Sequence, residues 1–297
     1  MRICFVGFGE VGRIYAQAIH DAGEPVGCIC EARLGEVGQA AISRIGARTE
    51  VAIGPWLAEY DIVFSAVTGS VALGVAESCL QYMRPGTTLI DMTTAAPGRM
   101  QEAAKLARQA GVRFVDVGIL GAVSIRKGAT ALVAAGDGIE ALAPIAAKIG
   151  APLKMLPGEA GDAVRLKLLR SVFTKGLEAL AVETLLAAEQ QGLRQEFFDI
   201  VGDIDETPLR QLLEVLVRSH VVHASRRHHE VQEAGAQLRD IGIDPVVTRG
   251  VESLFRRTSS SAGVGGSGEL PAIEEALDWL YGVSRMPPVQ CAVEATA

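Results

Sequence analysis

A chain of 297 residues exceeds most single hydrophobic cores and predicts two domains. With 49% hydrophobic and 21% charged residues it has the composition of a soluble globular enzyme. Its formal net charge of −7 argues against an electrostatic nucleic-acid binder, which needs a basic patch or excess. The five cysteines, Cys4, Cys28, Cys30, Cys79 and Cys291, are odd in number and scattered, so neither a disulfide framework nor a zinc pattern emerges. A reducing cytoplasm is the expected setting and no metal is expected. No uninterrupted apolar run of about twenty residues predicts a membrane span, and the amino terminus enters a strand without the marks of a signal peptide.

From the amino terminus, short apolar runs at 2–6, 25–30, 61–67, 87–92, 113–117, 130–135 and 152–156 read as strands. Helix-like segments such as 12–22, 70–82 and 97–110 separate them. Strands apolar on both faces and alternating with helices predict a parallel sheet covered on both sides. After Pro157 and Gly158 the strand signal nearly vanishes, and helices are expected at 160–191, 193–201, 207–219, 221–241, 244–257 and 271–282. "TSSSAGVGGSGE" (258–269) reads as a flexible connector. The expected organisation is therefore α/β followed by all-α, with domains 1–158 and 159–297.

The first strand runs into "GFGEVG", Gly7 to Gly12, a G-x-G-x-x-G between a strand and a helix. In that context Gly7 makes the tight turn, Gly9 admits a pyrophosphate to the backbone, and Gly12 lets the helix pack on the strand. Anionic oxygens are favoured at the helix amino terminus by free N–H groups and the dipole. Phe8, Glu10 and Val11 complete this loop. Glu31, nineteen residues after Gly12 at the end of the second strand, is placed to accept from ribose hydroxyls and to repel a 2′-phosphate, which favours NAD. Arg33 offers the alternative, a clamp for the 2′-phosphate of NADP. Further along, Val67 and Thr93 stand at strand carboxyl ends, where open parallel sheets bind ligands. Thr93 and Thr94 have helix capping as their plain alternative, and Pro97 suits a first helical turn. In the glycine-rich loop after the strand at 113–117, Arg126 and Lys127 read as solvated charges.

The segment "GDAVRLKLLRSVFTKGLEALAVETLL" (161–186) predicts a helix that is apolar on nearly every side, a pattern that usually means burial. Lys167, Ser171, Thr174 and Glu178 nevertheless fall at i, i+4, i+7 and i+11, on one narrow face. The plain reading of Lys167 is a snorkelling side chain. Beyond it, His220, His223, His228 and His229 cluster among Arg218, Arg226 and Arg227. That positive charge opposes metal binding, so the cluster reads as a polar helix surface or a contact for an anionic ligand.

"GFGEVG", "DMTTAAP", "VDVGILGAVSIRKGATALVAAG" and "GDAVRLKLLRSVFTKG", in that order, together resemble the β-hydroxyacid dehydrogenases, relatives of 6-phosphogluconate dehydrogenase. Residues 226–245 are similar to a less characterised branch of these oxidoreductases. The resemblance implies a Rossmann-type domain, a helical domain that builds a homodimer, NAD or NADP, and a catalytic lysine in the cleft between domains, for which Lys167 is the match. It also implies a substrate site that includes Leu120, Gly121, Ala122, Ser171 and Thr174. Two departures stand out: many members carry Ser-Gly-Gly where this chain has Leu120-Gly121-Ala122, and the asparagine usual after the lysine is missing, with Ser171 on the lysine's face instead. The expected activity is interconversion of an alcohol and a carbonyl on a small hydroxyacid-like substrate. The competing expectations are an imine or ketone reductase on the same scaffold and a non-catalytic dinucleotide-binding protein.

Overall fold

The computed structural model describes residues 1–261 and 269–285. The first part alternates strands and helices: β1 (Ile3–Val6), α1 (Glu10–Asp21), β2 (Val26–Cys30), α2 (Glu36–Ile45), β3 (Arg48–Glu50), β4 (Ile62–Ser65), α3 (Ala72–Leu80), β5 (Thr88–Asp91), α4 (Pro97–Gln109), β6 (Arg113–Ile119), a single turn α5 (Val123–Arg126), β7 (Leu132–Ala135), α6 (Ile139–Lys148) and β8 (Leu153–Met155). The strands form one sheet in the order β3-β2-β1-β4-β5-β6-β7-β8. Core strands such as β1, β4, β5 and β7 are buried along their whole length, because helices cover both faces of the sheet. Phe5, Phe64, Ile90 and Val115 fill one side, and Cys4, Val63, Leu89 and Phe114 the other. The alternation follows from the two-residue period of a strand.

One pairing departs from the all-parallel expectation. β6 and β7 run antiparallel, with Gly118 opposite Val133 and Asp116 opposite Ala135. Between them lie the 120–131 loop and the single turn α5, with no longer helix of the kind that usually carries a parallel crossover. The three-residue β3 was not among the expected strands, and α2 and α6 are further helices between strands for which no bounds were expected. β3 is exposed or half-exposed and polar (Arg-Thr-Glu), so it carries no apolar signal.

The second part is helical: α7 (Asp162–Gln190), α8 (Arg194–Val201), α9 (Leu209–Asp240), α10 (Val246–Ser259) and α11 (Ile273–Ser284). The two helices expected at 207–219 and 221–241 are one continuous helix, α9. His220 interrupts the apolar period there but does not break the backbone. Of the expected connector, 262–268 lie outside the described residues, and Thr258 and Ser259 belong to the last turn of α10. α10 starts where Glu183 of α7 meets it: the carboxylate accepts from the amides of Val247 (2.8 Å) and Thr248 (2.9 Å) and from the Thr248 hydroxyl (2.6 Å). Glu183 thereby satisfies amides that no N-cap side chain serves.

Compact packing groups the chain as Met1–Phe173 and Thr174–Ala297, so the first three turns of α7 belong with the sheet. The expectation that α7 is buried does not hold for this chain by itself. Leu169 (67%), Val172 (74%) and Leu177 (55%) are exposed, whereas Lys167, Ser171 and Thr174 are only half-exposed. Three residues of the polar stripe are thus better covered than the leucines, while Glu178, the fourth, is exposed.

Candidate functional site

β2, β1, β4, β5 and β6 all run in one direction, so the segments after them line one edge of the sheet in that order. Along that edge stand Glu31, the glycine loop, Val67, Thr93 and Thr94, and Leu120 to Ala122. Chain order reverses between β1 and β4, the crevice in which doubly wound sheets take ligands.

The glycine loop is built for close approach. Gly7 has φ +90°, and a Cβ there would stand 2.6 Å from the Ala66 carbonyl oxygen and 2.8 Å from Val67 Cγ1. A Cβ on Gly12 would press on the Gly7 carbonyl. Gly9, the residue before α1, meets nothing within 4 Å on its Cβ side, and no side chain caps the first turn of α1. Open space over uncapped amides at the positive end of a helix fits a pyrophosphate. Phe8 turns its ring into the core and donates its N–H to Glu31 Oε2 at 2.8 Å. Glu31 Oε1 accepts from the Arg33 amide at 3.2 Å, while Arg33 itself is exposed. A carboxylate is therefore fixed beside the loop. Glu10 is exposed in the first turn, and Val11 packs partly against the core.

At the other end of this edge lies Lys167. Its Nζ donates to Thr94 Oγ1 at 2.5 Å. Burial pulls the lysine below its ordinary pKa, and the Asp116 carboxylate opposes that shift. Gly118 lies beneath its stem: a Cβ there would be 3.2 Å from Lys167 Cβ and from the Ala163 carbonyl oxygen. Thr94 in turn adjoins Gly69, whose added Cβ would lie 2.5 Å from the Thr94 carbonyl. A continuous set of neighbours therefore runs from Gly7 through Val67 and Gly69 to Thr94 and Lys167.

Of the two threonines, the exposed Thr94 reaches the lysine. Thr93, the residue singled out in the sequence, is buried, and its hydroxyl has no protein partner. Neither caps α4, which begins after Ala96 with Pro97 in its first turn and no side-chain cap. Leu120 packs partly buried against Val133, Ala135 and Ala163, and Gly121 (φ +139°) and Ala122 are exposed at the turn. The Ser171 hydroxyl donates to the Lys167 carbonyl at 3.0 Å, a local bond within the helix that leaves its oxygen free to accept. His220 Nε2 bonds Thr258 Oγ1 at 2.9 Å, and the Thr258 hydroxyl also bonds the Leu254 carbonyl. This histidine thus ties α9 to α10.

Sequence reading passed over two buried carboxylates. Asp91 and Asp116 end up directly opposite each other on β5 and β6. Asp91 Oδ1 accepts from the Thr93 amide at 2.8 Å, and burial pushes its carboxyl up to about 6. Asp116 Oδ2 accepts from the amides of Gly161 (2.9 Å) and Val164 (3.0 Å). Its carboxyl is also raised by burial, against the pull of those amides. An acidic residue inside an otherwise apolar strand was the available signal for both.

Fold and site together define a dinucleotide-binding α/β domain joined to a helical region. Residues 2–158, more than half of the chain, match the family model for the NAD binding domain of 6-phosphogluconate dehydrogenase, and the chain belongs to that family. Residues 188–258 match a domain of unknown function, DUF1932. The chain is 27% identical over 256 residues to an uncharacterized 28.5 kDa protein in the 7S RNA 5′ region of Methanothermus fervidus, covering 86% of this chain and 98% of that one. A solved structure of a conserved protein of unknown function, described as similar to 3-hydroxyacid dehydrogenases, is 27% identical with a TM-score of 0.58 and covers 88% of this chain and 97% of its own. The V8 variant of an imine reductase from Myxococcus stipitatus, in complex with NAD+, has a TM-score of 0.75 at 17% identity, covering 93% of this chain and 99% of its own, a likeness of fold. Among the described residues no helix is long and apolar enough to cross a membrane.

Proposed function

We propose that this chain is an NAD(P)-dependent oxidoreductase that interconverts an alcohol and a carbonyl on a small hydroxyacid-like substrate, with Lys167 moving the proton. The observation that carries this reading is the half-buried lysine, hydrogen-bonded to Thr94 on the same sheet edge as the glycine loop. Residues 1–158 hold the dinucleotide, through the amides around Gly9 and the carboxylate of Glu31, and residues 159–297 serve the substrate and the dimer. The chemistry supplied by a bound nicotinamide is acceptance or return of a hydride. In its neutral form, favoured by burial, Lys167 takes the substrate hydroxyl proton at Nζ as the carbinol carbon loses hydride. In reverse, its ammonium returns that proton to the carbonyl oxygen. Thr94 holds Nζ in place through its hydroxyl.

Glu31, already bonded to the loop amide, places negative charge where a 2′-phosphate would add more, so NAD is preferred over NADP. The uncovered leucines of α7 form an apolar surface that a second copy would bury, so the working assembly is a homodimer. The free, buried thiols Cys4, Cys28, Cys30 and Cys79 suit a cytoplasmic setting. One feature favours a second reading, an imine or ketone reductase: the 120–122 turn offers no side-chain hydroxyl to hold a substrate carboxylate.

The test is Lys167→Met, assayed with a panel of hydroxyacids, ketoacids, ketones and imines. Turnover should fall by about a hundred- to ten-thousand-fold, the usual worth of general acid–base catalysis, with NADH affinity nearly unchanged. A variant that folds, binds NADH and turns over within a few-fold of wild type removes the proton-transfer role. A wild type that binds NADH and turns over nothing in the panel favours a non-catalytic dinucleotide-binding protein.

A further inference from the structure

Asp116 is fully buried in the middle of β6. Its Oδ2 accepts two amides at the start of the 29-residue helix α7, those of Gly161 and Val164, and its Oδ1 has no protein partner. A carboxylate at that end of a helix is held by the free amides and by the dipole. Gly118, two residues further along the same face of β6, is the residue over which the Lys167 stem lies. Thr94 then takes the tip. The lysine is thus located at three heights: its helix by Asp116, its stem by Gly118 and its nitrogen by Thr94. A lone snorkelling lysine needs none of these.

We propose that Asp116 is a positioning residue for Lys167, seating the first turn of α7 on β6 and supplying the negative charge that the lysine ammonium senses. The proposal rests on the reading of Lys167 as the proton-transferring group. Charges on the elements around Lys167 are few. On the sheet they are Asp116 and Asp91, the latter bonded to the Thr93 amide. On α7, Arg165 pairs with Asp162, and Arg170 is exposed. Arg126 and Lys127, in the loop after β6, are exposed as well. Asp116 is the charge that bears on the lysine, raising its proton affinity against the effect of burial.

The experiment reads Lys167 directly and needs no substrate. Wild type, Asp116→Asn and Asp116→Ala are labelled with acetic anhydride across a pH series, and acetylation of the Lys167 peptide is followed by mass spectrometry. Asparagine keeps an oxygen for the Gly161 and Val164 amides and removes the charge. Its Lys167 midpoint should move to lower pH, because the Asp116 charge that favours the ammonium is gone, while NADH affinity is retained. Alanine removes the acceptor as well, so hydrogen exchange at the Gly161 and Val164 amides should accelerate. An unchanged midpoint in Asp116→Asn overturns the proposal, as does unchanged exchange at those amides in a folded Asp116→Ala protein. If the alanine variant fails to fold, the asparagine arm decides alone. Because the label reads the lysine and not turnover, the role of Asp116 is tested even in a protein that catalyses nothing, separately from the Lys167→Met test.

Discussion

Replacing Asp91 by asparagine should change how stability depends on pH. Asp91 is buried on β5, with Asp116 opposite it on one neighbouring strand and Ser65 on the other. Its carboxyl titrates near 6 in the folded protein, against 3.8 ordinarily, chiefly because burial disfavours the charge. Between about 3.8 and about 6 the folded protein therefore holds a proton that the unfolded chain has released. The stability contributed by the protonated form is complete below about 3.8 and is lost as pH rises through about 6. The gap between those two values corresponds to about 3 kcal/mol, a large share of a typical folding free energy. For a domain of this size that is roughly 6–12 °C in melting temperature. Asparagine keeps an acceptor for the Thr93 amide and removes the charge. Thermal melts from pH 4 to pH 8 are the assay. The wild type should lose stability with rising pH over the acidic half of that range. Asp91→Asn should lose that part of the slope and melt higher than wild type at pH 7.5. Parallel curves for the two proteins would refute the claim that Asp91 is a buried, costly charge at neutral pH.

Gly9→Ala should leave the ligand-free melting temperature unchanged, since nothing lies within 4 Å of an added Cβ and Gly9 already has a negative φ. It should nevertheless weaken NADH at least about tenfold by fluorescence titration, a loss of roughly 1.4 kcal/mol or more, because the methyl takes the space proposed for the pyrophosphate. In the same titration the wild type should bind NADH more tightly than NADPH, and a clear NADPH preference abolished by Arg33→Ala would reverse the part assigned to Glu31. Light scattering should return a dimer at micromolar concentration. Charges introduced at the exposed Leu169 and Val172 of α7 should shift it toward monomer, and a wild-type monomer throughout would leave those side chains unexplained.

The strand–glycine–helix start at Gly7 to Gly12, the apolar strands and the polar stripe of α7 were legible in the sequence. Each is a local pattern, a period of two or 3.6 residues or a fixed spacing of glycines, that a short window contains whole. The contacts that join those pieces into the proposed site were not. Thr94 meets Lys167 across 73 residues of chain, and Asp116 meets the amides of α7 across 45 and 48. Local patterning has no means of preferring Thr94 over Thr93, since both are hydroxyls after the same strand. The pleat and the turn after β5 bury one and expose the other. An aspartate within an apolar strand reads as an irregularity until the helix amides that it accepts arrive from elsewhere in the chain. The antiparallel course of β7 is likewise settled only when the sheet is assembled. The exposed leucines of α7 mark where the reading of burial from composition stops: apolar residues record that a surface is to be covered, and only tertiary structure shows that this chain by itself leaves it open.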